Sequence, residues 1–239
     1  MKVACIIPAA GLGTRMGRGS AERAGTSRKQ FMLLDDEPIL LHTIRKFAGC
    51  PSIAEIVVAL RPEDKDWAAA LVARHKPAKP VRFVAGGDSR HSSVENALRS
   101  IDPSTDLVAV HDAVRPFIDR DIIERVIAEA AATGAAIVGI VPVDTVKQVH
   151  RNKIRQTIPR EKLILAQTPQ VFRYPLLKRA FDKAREDDFN GSDESSLVER
   201  LEVEVSVVAG SDRNIKITKP TDMDLARLFL EQEEGDQPA

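Results

Sequence analysis

The chain has 239 residues, 43% of them hydrophobic, 29% charged and 4% aromatic. Lysine plus arginine and aspartate plus glutamate each number 35, so the formal net charge is zero. That balance excludes the global basic excess of a non-specific nucleic-acid binder. The two cysteines, Cys5 and Cys50, exclude a disulfide framework and lack metal-ligand spacing. No apolar run approaches the roughly 20 residues that cross a bilayer. Met1 and Lys2 lead into a strand pattern rather than a signal peptide. The expected setting is therefore cytoplasmic, with neither membrane nor nucleic acid as partner. A chain this long buries a core without staples, and we expect a single domain over 1–230 with a flexible acidic tail at 231–239.

In chain order, short apolar runs at 3–8, 55–60, 81–85, 107–111 and 135–143 read as strands. Their near-continuous hydrophobicity suits strands covered on both faces. Amphipathic segments lie between them. Ser92 and Glu95 have capping-box spacing and predict a helix from Ser92 through Ile101. Over 121–133 the residues Ile122, Ile123, Val126, Ile127, Ala130 and Ala131 form one stripe, stopped by Gly134. Thr221 and Asp224 give a weaker start signal for a last helix. Such alternation predicts an α/β fold with a doubly wound, mostly parallel, Rossmann-like sheet, whose ligand lies beyond the carboxyl ends of the strands. The segment 143–158 breaks the pattern. It reads as two polar strands around a turn at 150–153, a projecting β-arm whose open edge calls for a partner.

The first strand runs into PAAGLGTRM (8–16). Small residues let a ligand approach the backbone, and successive amides can form an anion nest. Arg15 adds a planar fork suited to phosphate oxygens, and Lys29 follows a cationic small-residue loop. Met16 occupies the third glycine position of a dinucleotide fingerprint, which argues against a dinucleotide-dependent oxidoreductase. No glycine here begins a P-loop either.

PAAGLGTRM and RKQF (28–31) resemble the opening signature of nucleotidyltransferases that make nucleoside-diphosphate sugars and alcohols. GGDSRHSSV (86–94), HDAVRP (111–116), DTVK (144–147), TPQ (168–170), SDE (192–194) and NIKIT (214–218) follow in order. Together they resemble the 2-C-methyl-D-erythritol 4-phosphate cytidylyltransferases along nearly the whole chain. The resemblance implies that CTP and a polyol phosphate react to give a CDP-alcohol and pyrophosphate, with Mg²⁺ or another divalent cation.

By that resemblance Arg15, Lys29 and Lys216 are the catalytic cations. Ala9, Ala10, Gly11, Gly13, Gly86, Gly87 and Ser93 surround the nucleotide. Asp112, Arg115, Thr145, Arg160 and Thr168 serve the acceptor, and Asp112 is also the candidate metal ligand. His111 reads as structural, because a phosphate monoester is already an anion near neutral pH and needs no general base. Arg115 is open to two roles, pairing with Asp112 or reaching the acceptor. Thr145 and Arg160 are expected to act across a homodimer formed through the β-arm. The sequence departs from the family pattern in a longer loop over 17–28, expected to act as a lid, and in Arg28, which stands where proline precedes the lysine. A cytidylyltransferase for another polyol phosphate, such as ribitol 5-phosphate, and a non-catalytic nucleotide-binding protein are the rival functions.

Overall fold

The computed structural model describes residues 1–11 and 28–235, with side chains to 233. Its centre is a seven-stranded sheet. In chain order the strands are β1 (Val3–Pro8), β4 (Ile53–Leu60), β5 (Val81–Ala85), β6 (Leu107–Val110), β7 (Ala135–Ile140), β10 (Leu165–Arg173) and β11 (Ser206–Ala209). Their spatial order is β11-β7-β10-β6-β1-β4-β5. All neighbours are parallel except β10, which runs antiparallel to both β6 and β7. Two small antiparallel ladders complete the strands: β2 (Leu33–Leu34) with β3 (Glu37–Pro38), and β8 (Val146–His150) with β9 (Lys153–Ile158).

Successive residues of a strand point to opposite faces, and β1 shows the consequence. Val3, Cys5 and Ile7 pack with α1 (Ile39–Ala48) and α4 (Arg120–Thr133) on one side. Ala4 and Ile6 pack with α3 (Arg90–Arg99), α5 (Tyr174–Glu186) and α6 (Glu194–Glu199) on the other. Burial on both faces is why these strands read as unbroken apolar runs. The remaining helices are α2 (Lys65–His75) and α7 (Pro220–Gly235). The chain order reverses between β1 and β6, so the ends of these two strands, at Pro8 and Val110, open the crevice where an α/β sheet binds its ligand.

The strand expected at 135–143 ends at Ile140, and three helix boundaries shift. Helix α3 is capped by Ser89, not Ser92: the Ser89 hydroxyl accepts from the Ser92 amide and the Ser92 hydroxyl from the Ser89 amide. A serine three positions on closes the box as glutamate would. The last helix starts at Pro220 rather than at Thr221, and Asp222 accepts from the amides of Thr218 (2.6 Å) and Lys219 (2.8 Å). That helix continues past Leu230 to Gly235, where the sequence alone suggested a tail, and Glu233 pairs with Lys46 at 2.8 Å. The predicted stop at Gly134 holds, with φ at 101° in the left-handed region.

Candidate active site

The turn after β1 is held by its carbonyls. Gln30 Nε2 donates to the Ala9 oxygen at 2.7 Å and to the Gly11 oxygen at 3.0 Å, and Arg61 Nε donates to the Ala10 oxygen at 3.2 Å. Gln30 sits beside Lys29 in a 3-10 turn, Lys29–Phe31, that is buried although two of its residues are polar. Preceding it, Arg28 pairs with Asp64 of the chain segment before α2 and lies over the Phe31 ring. Opposite, Gly86 donates to the Leu60 oxygen at 2.6 Å. A Cβ at Gly86 would lie 2.5 Å from Ala10 Cβ, closer than real side chains come, so this approach requires glycine. Gly11 is different, since an added Cβ there meets nothing within 4 Å.

The Ser93 hydroxyl, almost fully buried, accepts from the Gly87 amide (3.0 Å) and donates to the Ser89 oxygen (2.7 Å). Its proton is thereby committed within the loop, and only a lone pair remains for a base. Between these walls lies a cavity of about 390 Å³, lined among others by Ala9, Ala10, Lys29, Gly87, Asp112 and Lys216. That size suits a small organic ligand. Gly13 and Arg15, and the expected 17–28 lid apart from Arg28, lie outside the described residues.

The polar wall grows from the end of β6. Burial raises the Asp112 carboxyl pKa, but Arg90, Lys216 and Arg115 outweigh that and hold it well below the usual carboxylate range. Arg90 Nε reaches Asp112 Oδ1 at 2.9 Å, Lys216 Nζ reaches Oδ2 at 2.7 Å, and Arg115 Nε stands 3.7 Å from Oδ2. Arg90 also grips Glu194 with both terminal nitrogens, at 2.8 and 3.0 Å. Burial raises the Glu194 carboxyl pKa, opposed by Arg90, while the Arg90 guanidinium is held charged by its two carboxylates against its own burial.

His111 is fully buried and lies against the Phe47 ring. The Thr168 hydroxyl accepts from the Asp112 amide (3.1 Å), so its proton faces His111 Nδ1 (3.1 Å), and Nε2–H then donates to the Arg115 oxygen (3.0 Å). Burial lowers the imidazole pKa to about 4 despite that bond, so the ring is neutral at pH 7.

The structure thus brings together Lys29, Lys216, Asp112, Ala9, Ala10, Gly11, Gly87 and Ser93 around one cavity. Gly86 stands directly behind it. Thr168 and Arg115, assigned to the acceptor by resemblance, are turned inward. Thr168 is engaged as just described, and Arg115 donates to the Asn214 oxygen at 2.7 Å. Of the two roles open to Arg115, the geometry shows the pairing side. Thr145 and Arg160 are exposed and do not line their own chain's cavity. Arg160 donates to the Val143 oxygen at the base of the arm.

Four contributors were not singled out from sequence. Arg90, Glu194 and Gln30 each fall inside a motif quoted above, which was the available signal. Arg61 had none.

A switch-point cleft with a small-residue floor and lysines beside a buried carboxylate defines a nucleotide-binding α/β protein of the nucleotidyltransferase class. The family model IspD, 2-C-methyl-D-erythritol 4-phosphate cytidylyltransferase, matches residues 3–232. A curated relative of that name from Solibacter usitatus is 67% identical over 98% of this chain and 97% of its own length. The crystal structure of 4-diphosphocytidyl-2C-methyl-D-erythritol synthase from Anaerococcus prevotii superposes with a TM-score of 0.83 at 27% identity, covering 96% of each chain. The Francisella tularensis cytidylyltransferase gives 0.78 at 32%, covering 95% of this chain and 99% of its own. The chain belongs to the 2-C-methyl-D-erythritol 4-phosphate cytidylyltransferase family. No helix among the described residues is long and apolar enough to cross a membrane.

Proposed function

We propose that this chain joins CTP to 2-C-methyl-D-erythritol 4-phosphate, giving the CDP-alcohol and pyrophosphate on the way to isoprenoid precursors. The observation that carries this reading is one cavity holding Lys29 and Lys216 beside the small-residue floor of Ala9, Ala10 and Gly87. An attacking phosphate monoester has its second pKa at about 6 and arrives as an anion. The reaction therefore needs orientation and positive charge rather than a base. The groups at the β6 end agree with this. His111 has both ring nitrogens engaged and is neutral, and Asp112 is held ionised by cations, so neither is poised to take a proton.

Lys216 holds the α-phosphate and the incoming phosphate in register, while Lys29, with Arg15 by resemblance, stabilises the five-coordinate transition state. Backbone groups of Ala9, Ala10 and Gly87 meet the cytosine edge. Uracil presents a carbonyl where cytosine presents an amine, so it opposes the same backbone partner.

The resemblance implies Mg²⁺. Asp112 fits a ligand role poorly in this arrangement, because Arg90, Lys216 and Arg115 already crowd its carboxylate with positive charge. Among the described residues no group of three His, Cys, Asp or Glu side chains is placed to hold a metal. Magnesium is commonly held largely by substrate phosphates, and we assign it to the triphosphate rather than to a protein cage.

The β-arm supports a homodimer. Val149 and Ile154 are 60% and 65% exposed on an arm whose two strands form a ladder separate from the central sheet. A partner brings its Thr145 and Arg160 to the acceptor end of the cavity. The setting proposed is cytoplasmic.

Pyrophosphate release from CTP, measured with either 2-C-methyl-D-erythritol 4-phosphate or ribitol 5-phosphate, tests the assignment. Turnover with the former and little with the latter or with UTP is expected. Preference for ribitol 5-phosphate reassigns the acceptor, and no turnover of any pair overturns the transfer reading.

A further inference from the structure

Glu194 is the most deeply buried carboxylate near the cavity and does not line it. It stands at the start of α6, where Asp193 caps the helix by accepting from the Ser196 amide at 3.1 Å. Gln170 of β10 fastens that turn, donating to Asp193 Oδ2 (2.8 Å) and accepting from the Ser195 amide (3.0 Å). The Glu194 carboxylate is thus fixed to the sheet. From there a line of charges of alternating sign runs to the cavity: Glu194 to Arg90 (2.8 and 3.0 Å), Arg90 to Asp112 (2.9 Å), Asp112 to Lys216 (2.7 Å). All three Arg90 nitrogens are engaged, the Nη atoms on Glu194 and the Nε on Asp112, and arginine's planar geometry allows both at once. A buried ion pair of this kind is weak evidence for stability and better evidence for a fixed geometry.

We propose that Glu194 is a positioning residue for the transfer reaction, acting through Arg90 and Asp112 to hold the Lys216 ammonium at the cavity wall. Without the Glu194 anion, Arg90 is free to swing its terminal nitrogens onto Asp112. The carboxylate then turns, and Lys216 loses its 2.7 Å partner. The relay also explains why a cavity destined for a polyanion contains a carboxylate. Asp112 faces phosphate only as the middle member of a cation-rich chain, with Arg115 as a further positive neighbour at 3.7 Å.

This inference rests on the transfer reading for its kinetic arm but not for its structural arm. Glu194→Gln keeps the shape and removes the charge. Its crystal structure is expected to show the Lys216–Asp112 contact broken, and an unchanged contact overturns the relay whatever the protein catalyses. In turnover, Glu194→Gln should lower kcat about tenfold, the size expected for coupled neighbours, with the KM for CTP changed less than about threefold. Combined with Lys216→Met, it should add no further loss. A purely structural Glu194 would instead give additive losses that follow the fall in melting temperature, and that result also overturns the proposal. Should Glu194→Gln fold poorly, Arg90→Lys makes the same comparison. It keeps the charge but cannot bridge both carboxylates, so it should also lose activity non-additively with Lys216→Met. If the native chain shows no turnover while the contact still breaks, the functional reading fails and the relay stands.

Discussion

The cavity wall and the β-arm are both polar, yet their charges stand in opposite situations. At the wall, Asp112 and Glu194 are buried and Arg90 and Arg115 partly so, and each is fixed by a partner of opposite sign or by a backbone carbonyl. On the arm, Lys147 reaches Thr157 (2.6 Å) and Gln156 reaches Gln148 (2.7 Å) in full solvent. A buried charge must be answered within the chain. An exposed one need not be, which leaves the arm free to present its faces to another surface. The wall's charges are answered within the chain, and in the proposed dimer the arm's exposed faces are answered by a second copy. Substitutions should separate them.

The largest effect on activity is expected at the wall's cations. Lys29→Ala or Lys216→Ala should lower kcat about a hundredfold, as for one lost transition-state contact, with a smaller change in the KM for CTP. Steady-state kinetics on purified variants decides this, and a large rise in KM with kcat intact assigns them to ground-state binding.

Next comes Asp112, the anion that Arg90, Arg115 and Lys216 share. Asp112→Ala leaves Arg90, Arg115 and Lys216 facing one another, and breaking such a buried set should cost about 3–5 kcal/mol in urea unfolding.

His111 gives a smaller, pH-dependent effect. Its folded pKa of about 4 lies below the ordinary imidazole value of 6.5. Between those values the unfolded chain binds the proton and the folded one does not, so stability falls as pH drops through that window and is fully present above it. The loss amounts to about 3 kcal/mol. His111→Gln should flatten that limb relative to the native chain.

The smallest intrinsic effect belongs to the arm. Val149→Lys should change unfolding of the monomer by no more than about 0.5 kcal/mol, while light scattering shows weakened self-association.

What could be read from sequence follows the same division. Strand β5 was placed at 81–85, and the arm's turn was placed at 150–153, where Arg151 and Asn152 adopt φ of 47° and 59° between the paired His150 and Lys153. Continuous apolar runs and a polar hairpin are local signals. Strand β10 escaped because its buried residues include Gln167, Thr168 and Gln170, and polarity of that kind hides a strand from hydrophobic periodicity. Those side chains are satisfied by partners far along the chain, Gln167 on the Ser211 oxygen and Gln170 on Asp193. For the site, residue types and order pointed to Lys29, Lys216 and Asp112, but the sequence could not show that Asp112 would be ringed by cations. Arg90 and Glu194 are 104 positions apart, and only the fold makes them neighbours.

The difference between the wall and the arm is tested most directly by complementation. In the proposed dimer Lys29→Ala damages the wall and Arg160→Ala the partner's contribution, and each variant alone should keep no more than about a hundredth of native activity. When the two are co-expressed at random, about half the dimers are mixed, and two-fold symmetry leaves each mixed dimer one intact site of two. Activity should return to about a quarter of native. If verified mixed dimers turn over no faster than the separate variants, Arg160 does not act across the interface, and the arm does not complete a neighbouring site.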